Sequence, residues 1–225
     1  MTKLILAAGA ALLALPSTAS AGDDFQQWLT SNTSVKLDSH WRLSNELVLR
    51  FSDQRHGLYE VENSTLVGYQ LNKKIGFWAG YVHDPNYAGG DFTVMEHRAR
   101  EQVTFDNVAS LGSASLSFRA RTEQRWRDGV GGTGWRFRPY AKLALPLGGK
   151  TAPSLVFTTE PFINLNRTSF QTINGFDRVR NAVALSVPLS KTIKADIGYL
   201  NQYRVVKNGP DQMDHALTGT IGLSF

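Results

Sequence analysis

Apolar and polar residues alternate with a period of two in one run after another. This is the pattern of strands with one greasy and one polar face. In Ala114–Arg127 one face is Ala114, Leu116, Phe118, Ala120, Thr122, Gln124 and Trp126, and the other is Ser115, Ser117, Arg119, Arg121, Glu123, Arg125 and Arg127. Trp135–Leu145 sets Trp135, Phe137, Pro139, Ala141, Leu143 and Leu145 against Arg136, Arg138, Tyr140, Lys142 and Ala144. Trp41–Phe51 sets Trp41, Leu43, Asn45, Leu47, Leu49 and Phe51 against Arg42, Ser44, Glu46, Val48 and Arg50. Similar runs cover Tyr59–Leu71, Ile75–Asp84, Phe92–Phe105, Leu155–Asn166, Arg178–Pro188, Ile193–Val205 and His215–Phe225. That makes ten strands, with a weaker run, Trp28–Leu37, ahead of them. No stretch after Gly22 sustains a helical period.

The connections alternate in length. Asp38–His40, Asn72–Lys74, Asp106–Ser113, Gly148–Pro153 and Ser190–Thr192 read as short turns. Ser52–Leu58, Pro85–Asp91, Asp128–Gly134, Thr168–Asp177 and Lys207–Asp214 read as longer loops. Long strands, alternating connection lengths and a polar face charged on strand after strand predict an all-β fold. The expected architecture is a transmembrane antiparallel up-and-down barrel rather than a soluble sandwich, whose strands are shorter. Both ends should lie on the short-turn side, so the count should be even. Ten strands are expected, or twelve if residues 22–40 form an extra hairpin. Trp41, Tyr69, Phe77, Phe105, Phe157 and Phe225 should form one aromatic belt, and Phe51, Tyr59, Trp126, Trp135, Phe176 and Tyr203 the other. Pro139 and Pro161 fall inside strands, where a bulge or a position beyond the membrane would be needed. Asn45 and Glu101 fall on the apolar face, where either the register slips or an interface is near.

The first residues read as an address. Lys3 precedes the apolar run Leu4–Leu15, Pro16 breaks it, and Ala19–Ser20–Ala21 supplies a cleavage site. Residues 1–21 are therefore expected to be a cleaved secretory signal peptide, and 22–225 a single barrel domain in the bacterial outer membrane. The closing run, with Leu217, Ile221, Leu223 and a terminal Phe225, looks like the signal that the barrel-assembly machinery reads. That machinery and outer-membrane lipids are the expected partners, and a monomer the expected state.

Composition removes several functions. The chain has 225 residues and no cysteine, which excludes disulfides and thiolate metal sites. Its formal charge is +5, but the cations alternate within strands instead of forming an exposed nucleic-acid footprint. Gly129–Gly134 is glycine-rich but joins two strands, so it is no phosphate cradle. No His, Asp and Glu spacing suggests a metal, and no cofactor is expected. His97 with Ser115 or Ser117 is the nearest approach to a base and nucleophile, but His97 belongs to the apolar face and the serines to the polar one.

Glu96-His-Arg98-Ala-Arg100, then Phe118-Arg-Ala-Arg121-Thr-Glu123-Gln-Arg125-Trp126, Arg136-Phe-Arg138-Pro-Tyr140, Glu160-Pro-Phe162, Asp177-Arg178-Val-Arg180 and Gly198-Tyr199 follow one another in a familiar order. This resembles the Gram-negative envelope family known as domain of unknown function 2490, over most of the chain. The resemblance implies an outer-membrane barrel and brings no reaction, ligand or catalytic residue.

The expected lumen network is Glu96, Arg98, Arg100, Arg119, Arg121, Glu123, Arg125, Arg136, Arg138, Glu160, Arg178 and Arg180. Ten strands enclose a narrow lumen, so long side chains can meet across it and must find counter-charges. A closed barrel with a structural role in the envelope is the first expectation. A channel or pocket for small anionic solutes is the second, because arginine outnumbers acid on the central strands and suits carboxylate and phosphate. A lipid-modifying enzyme is the third, with no catalytic residue assigned.

Overall fold

The computed structural model of the protein describes residues 23–149 and 151–225. The expected signal peptide lies outside them. Eleven strands follow in chain order: β1 Asp24–Lys36, β2 Trp41–Ser52, β3 Gly57–Gln70, β4 Ile75–Ala88, β5 Asp91–Leu111, β6 Ala114–Arg127, β7 Val130–Pro146, β8 Ser154–Asn164, β9 Gly175–Pro188, β10 Ile193–Arg204 and β11 Gln212–Ser224. Each pairs with its chain neighbours, and β1 pairs with β11 to close the barrel.

Two expectations about this closure are corrected. The described residues form eleven strands, neither ten nor twelve, and the closing pair is parallel, with Asp24 beside Asp214 and Ser34 beside Ser224. The region 22–40 contributes one strand instead of a hairpin or an inserted segment. The even-count argument assumed an antiparallel seam. A parallel seam lets an odd number of strands close, because what must be satisfied is each edge's row of N–H and C=O groups, whatever the direction of its partner. The seam extends to the last residue: the amide of Phe225 donates to the Ser34 carbonyl at 2.9 Å, and the amide of Lys36 donates to the Phe225 carbonyl at 2.8 Å. The two ends of the described chain therefore lie at opposite rims.

The connections are also less unequal than expected. β4 reaches Ala88, β5 begins at Asp91 and β7 at Val130, so most of the expected loops 85–91 and 128–134 are strand. The glycines there explain the misreading. Gly89, Gly90 and Gly129 supply the positive φ angles (61°, 92° and 72°) of tight turns within long hairpins. On the opposite rim β5 runs to Leu111 past a register shift between Phe105 and Ala109.

The alternation itself holds. Trp41, Tyr69, Phe77, Trp126, Trp135 and Phe176 face outward and are exposed, as is Phe225. Tyr59 is the exception in the expected belts. The register shift between Arg50 and Phe51 turns it inward, where it is buried and its hydroxyl donates to Gln26 Oε1 at 2.8 Å.

Pro139 and Pro161 need no bulge. The β7–β8 ladder keeps one register from Phe137↔Ile163 to Ala141↔Thr159 and lapses between them. That register sets the two prolines opposite one another, so the missing N–H groups coincide in one gap. Asn45 and Glu101 keep their outward register as well. The Asn45 amide donates to Asn63 Oδ1 (2.8 Å) and Thr65 Oγ1 (2.9 Å), and Thr122 Oγ1 (3.0 Å) and Gln124 Nε2 (3.3 Å) donate to Glu101. Neighbouring strands thus supply the partners that an apolar surrounding would not.

Candidate functional site

Apolar outward-facing residues and long charged inward-facing ones make the barrel interior a layer of charge. Period two places Arg98 and Arg100 of β5, Arg119, Arg121, Glu123 and Arg125 of β6, and Arg136 and Arg138 of β7 on one inner face. Facing strands carry Arg50 (β2), Glu60 and Glu62 (β3), Asp84 (β4) and Glu160 (β8).

These groups form a chain of alternating sign around most of the wall. Arg50 Nη2 lies 3.0 Å from Glu62, whose other oxygen takes Arg100 Nη2 at 2.7 Å. Arg100 Nη2 also lies 2.8 Å from Glu123 Oε1. Glu123 in turn accepts from Arg136 Nη2 at 2.6 Å and Arg138 Nη1 at 2.8 Å. Arg138 Nη2 reaches Glu160 at 3.0 Å, and Arg119 pairs with the same carboxylate. Glu123 has no exposed surface and Arg100 has 1%. A charge so far from water is tolerable only with saturated partners, and each guanidinium fork supplies several donors.

Glu96 forms a second node nearer the β6–β7 turn. Arg98 Nε (2.6 Å), Arg125 Nε (2.8 Å) and Arg127 Nε (2.8 Å) all converge on it. Glu60, Glu62 and Asp84 can bring one oxygen each within 4.8 Å of the others. Arg50 and Arg98 are already paired with members of this trio, which makes it part of the ion network rather than a separate centre.

The remaining arc, β9 to β1, is built differently. Arg180 Nε donates to the neutral Gln202 Oε1 at 2.7 Å and its guanidinium lies 4.6 Å from the Trp28 ring centroid. Among the described residues Arg178 bonds only its chain neighbour Asp177, through Nε at 2.6 Å. Both lie over the buried Phe162 ring, at 5.6 Å (Arg178) and 4.7 Å (Arg180), with Arg136 and Arg138 at 5.1 and 4.2 Å on the same ring. Aromatic faces attract cations when water is scarce. Arg121 stands apart on β6: it is buried, and its Nε donates to the neutral Gln102 at 2.8 Å.

Above the charged layer, on the side of the β2–β3, β6–β7 and β10–β11 connections, is a cavity of about 430 Å³. The 165–174 connection folds in beside it. Gln171 is buried, accepts from Arg125 Nη1 at 3.0 Å, and donates to the Trp135 and Asn166 carbonyls at 3.0 Å each. Gly134 makes room: a Cβ there would stand 3.1 Å from Gln171 Oε1 and 3.2 Å from the Phe170 ring. Nearby, Asp211 in the last connection accepts from the Tyr203 hydroxyl and from the Val206 amide at 3.0 Å, which holds its carboxyl below the ordinary range.

All twelve residues expected in the lumen face it, but not as one network. Glu96, Arg98, Arg100, Arg119, Glu123, Arg125, Arg136, Arg138 and Glu160 are ion-paired with one another, while Arg121, Arg178 and Arg180 lie outside those pairs. Asp84, Phe162, Gln171 and Trp28 were not foreseen as site residues. Asp84 continues the inward register of Gly80 and Val82, a signal hidden because it was read as a strand end. His97 does not meet Ser117. It faces outward opposite Trp126, accepts or donates at Nδ1 with the Tyr81 hydroxyl, and lies 3.1 Å from Asp128, while Ser117 is buried inside and accepts from the Asn107 amide at 3.0 Å.

The family described as "Protein of unknown function (DUF2490)" matches residues 25–214. An uncharacterized protein of Methylorubrum extorquens is 31% identical over 156 residues, covering 68% of this chain and 67% of that protein. Among solved structures, a NanC porin in a rhombohedral crystal form superposes with a TM-score of 0.55 at 13% identity, over 90% of this chain and 99% of its own. The last likeness concerns the fold.

Proposed function

We propose, from the premise that the chain belongs to the DUF2490 family, that it is an outer-membrane barrel whose lumen is shut at mid-height and whose role in the envelope is structural. The observation that carries this reading is Glu123. It has no exposed surface, and three guanidiniums from the two flanking strands converge on it. A wet conduit would leave these groups to water. Here they seal one another, with Phe162 stacked against the same cluster. The outward aromatic residues near both rims support a bilayer location.

Planar-bilayer recording of the refolded barrel tests the closed state. The expected record is a quiet baseline in potassium chloride. Steady, ohmic steps from the unmodified protein would overturn it. Membrane fractionation tests the location separately, with the folded, heat-modifiable band expected among outer-membrane proteins.

A further inference from the structure

A structural role does not by itself account for the cavity above the charged layer. Its wall carries nine arginines against four carboxylates, a formal excess of five positive charges within about 430 Å³. Concave, low-dielectric surroundings focus such a field. Three of the carboxylates are taken up by other arginines: Glu62 and Glu96 each accept from more than one guanidinium, and Glu60 pairs with Arg50, while Asp214 accepts from Gln202 and lies 3.6 Å from Arg204.

The arginines are not used up. Arg127 contacts a carboxylate only through Nε, Arg178 binds only Asp177 through Nε, and Arg180 binds only neutral Gln202 through Nε. In each case both terminal nitrogens are left without a partner among the described residues. Arg204 donates through Nη2 to Gln212 and lies 3.6 Å from Asp214, but its buried Nε bonds nothing among the described residues. Arg178 and Arg180 stand two residues apart on the inner face of β9, and both guanidiniums lie against the Phe162 ring, at 5.6 and 4.7 Å from its centroid. An oxyanion placed there would meet two planar forks at once, the arrangement that recognises carboxylate and phosphate.

We infer that this cavity is a binding site for a small organic polyanion, a solute carrying two or more carboxylate or phosphate groups. Arg178 and Arg180 hold one group and Arg127 and Arg204 are placed on the same wall for another. The volume falls within the range of small-molecule pockets. The sealed layer beneath makes the site a pocket rather than a passage, but the inference stands on the free guanidiniums and not on the seal.

Isothermal titration of the detergent-folded barrel at low ionic strength tests it, with citrate and inorganic pyrophosphate as the two probes and acetate as the monovalent control. Binding of one or both polyanions at one site, with acetate weaker by roughly tenfold or more, is the expected result, and the stronger of the two probes identifies the group that is preferred. The double variant R178Q/R180Q should weaken that binding by about tenfold or more, whereas Arg42→Gln, which removes a cation near the opposite rim, should leave it within about twofold. Heat-modifiable mobility confirms that each variant is folded. If R178Q/R180Q fails to fold, Arg180→Lys keeps the charge, loses the fork and should still weaken binding. No binding of either polyanion, equal binding of acetate, or equal losses in Arg42→Gln and the double variant would each overturn the inference. None of these outcomes depends on whether the unmodified barrel conducts, so the closed-lumen reading is judged separately.

Discussion

The arc from β2 to β8 and the arc from β9 to β1 solve the same problem in opposite ways. On the first, acids and arginines alternate from strand to strand, and Glu62, Glu123 and Glu160 each join two or more guanidiniums. On the second, Arg180 faces an amide and aromatic rings, and Arg178 holds only its chain neighbour Asp177 and the Phe162 ring among the described residues. Both arcs keep cations away from bulk water. Only the first removes their capacity to bind anything else. Interleaved charge locks a wall, whereas aromatic support holds a guanidinium in place and leaves its fork free.

The largest effect should come from breaking the locked arc. Glu123→Ala leaves Arg100, Arg136 and Arg138 short of an acceptor where all three are buried, a loss of about 3–5 kcal/mol. Thermal unfolding in detergent micelles should show a clear drop in midpoint. If the midpoint held, the locked arc would be no more than a set of solvated charges.

Removing charge from both sides sharpens the point. Adding Arg136→Leu to Glu123→Ala should recover about 1–2 kcal/mol, because one stranded cation is gone. A double variant no more stable than the single one would mean that the arginine was never stranded. Phe162→Leu should cost about 1–2 kcal/mol, since four guanidiniums lie over its ring. On the second arc, Arg180→Gln should shift the same midpoint by about 0.5 kcal/mol or less, as a cation with no carboxylate leaves no acid behind. A loss as large as that of Glu123→Ala would erase the distinction between the arcs.

The smallest effect calibrates the others from outside the wall. In the β1–β2 turn, the amides of Trp41 and His40 both donate to Asp38 at 2.7 Å and hold its exposed carboxyl below the ordinary range. A carboxyl depressed by folding stabilises the fold at pH values above its unfolded pKa, and that contribution fades as the pH falls through the folded value. Asp38→Asn should therefore lower the midpoint slightly at neutral pH and match the parent in strong acid. A gap that widened on acidification would reverse the assigned sign.

The sequence made the inner face of β5, β6 and β7 readable, because arginine and glutamate repeat there at every second position between aliphatic and aromatic residues. β1 was faint for the converse reason. Its outward face mixes Phe25 and Leu29 with Gln27 and Ser31, and its inward face carries the large apolar Trp28. What makes it a strand is the pair of edges it joins, a property of the closed sheet. Which arginine meets which acid was beyond reach too, since Arg100 contacts Glu62 two strands away, at a height set by register. Gln171 left no pattern at all. It sits in a connection without periodicity and gains its role from Arg125 and the room beside Gly134.

The parallel seam between β1 and β11 also sets a rule for how such a barrel can change size. Its strands come in hairpins, and a hairpin gained or lost alters the count by two. From eleven strands, growth by whole hairpins passes only through other odd numbers, each of which must close on a parallel pair with its chain ends at opposite rims. A short peptide joining those ends would have to run the full height of the wall, so circular permutants of this barrel call for a linker about as long as a strand, or one strand added outright.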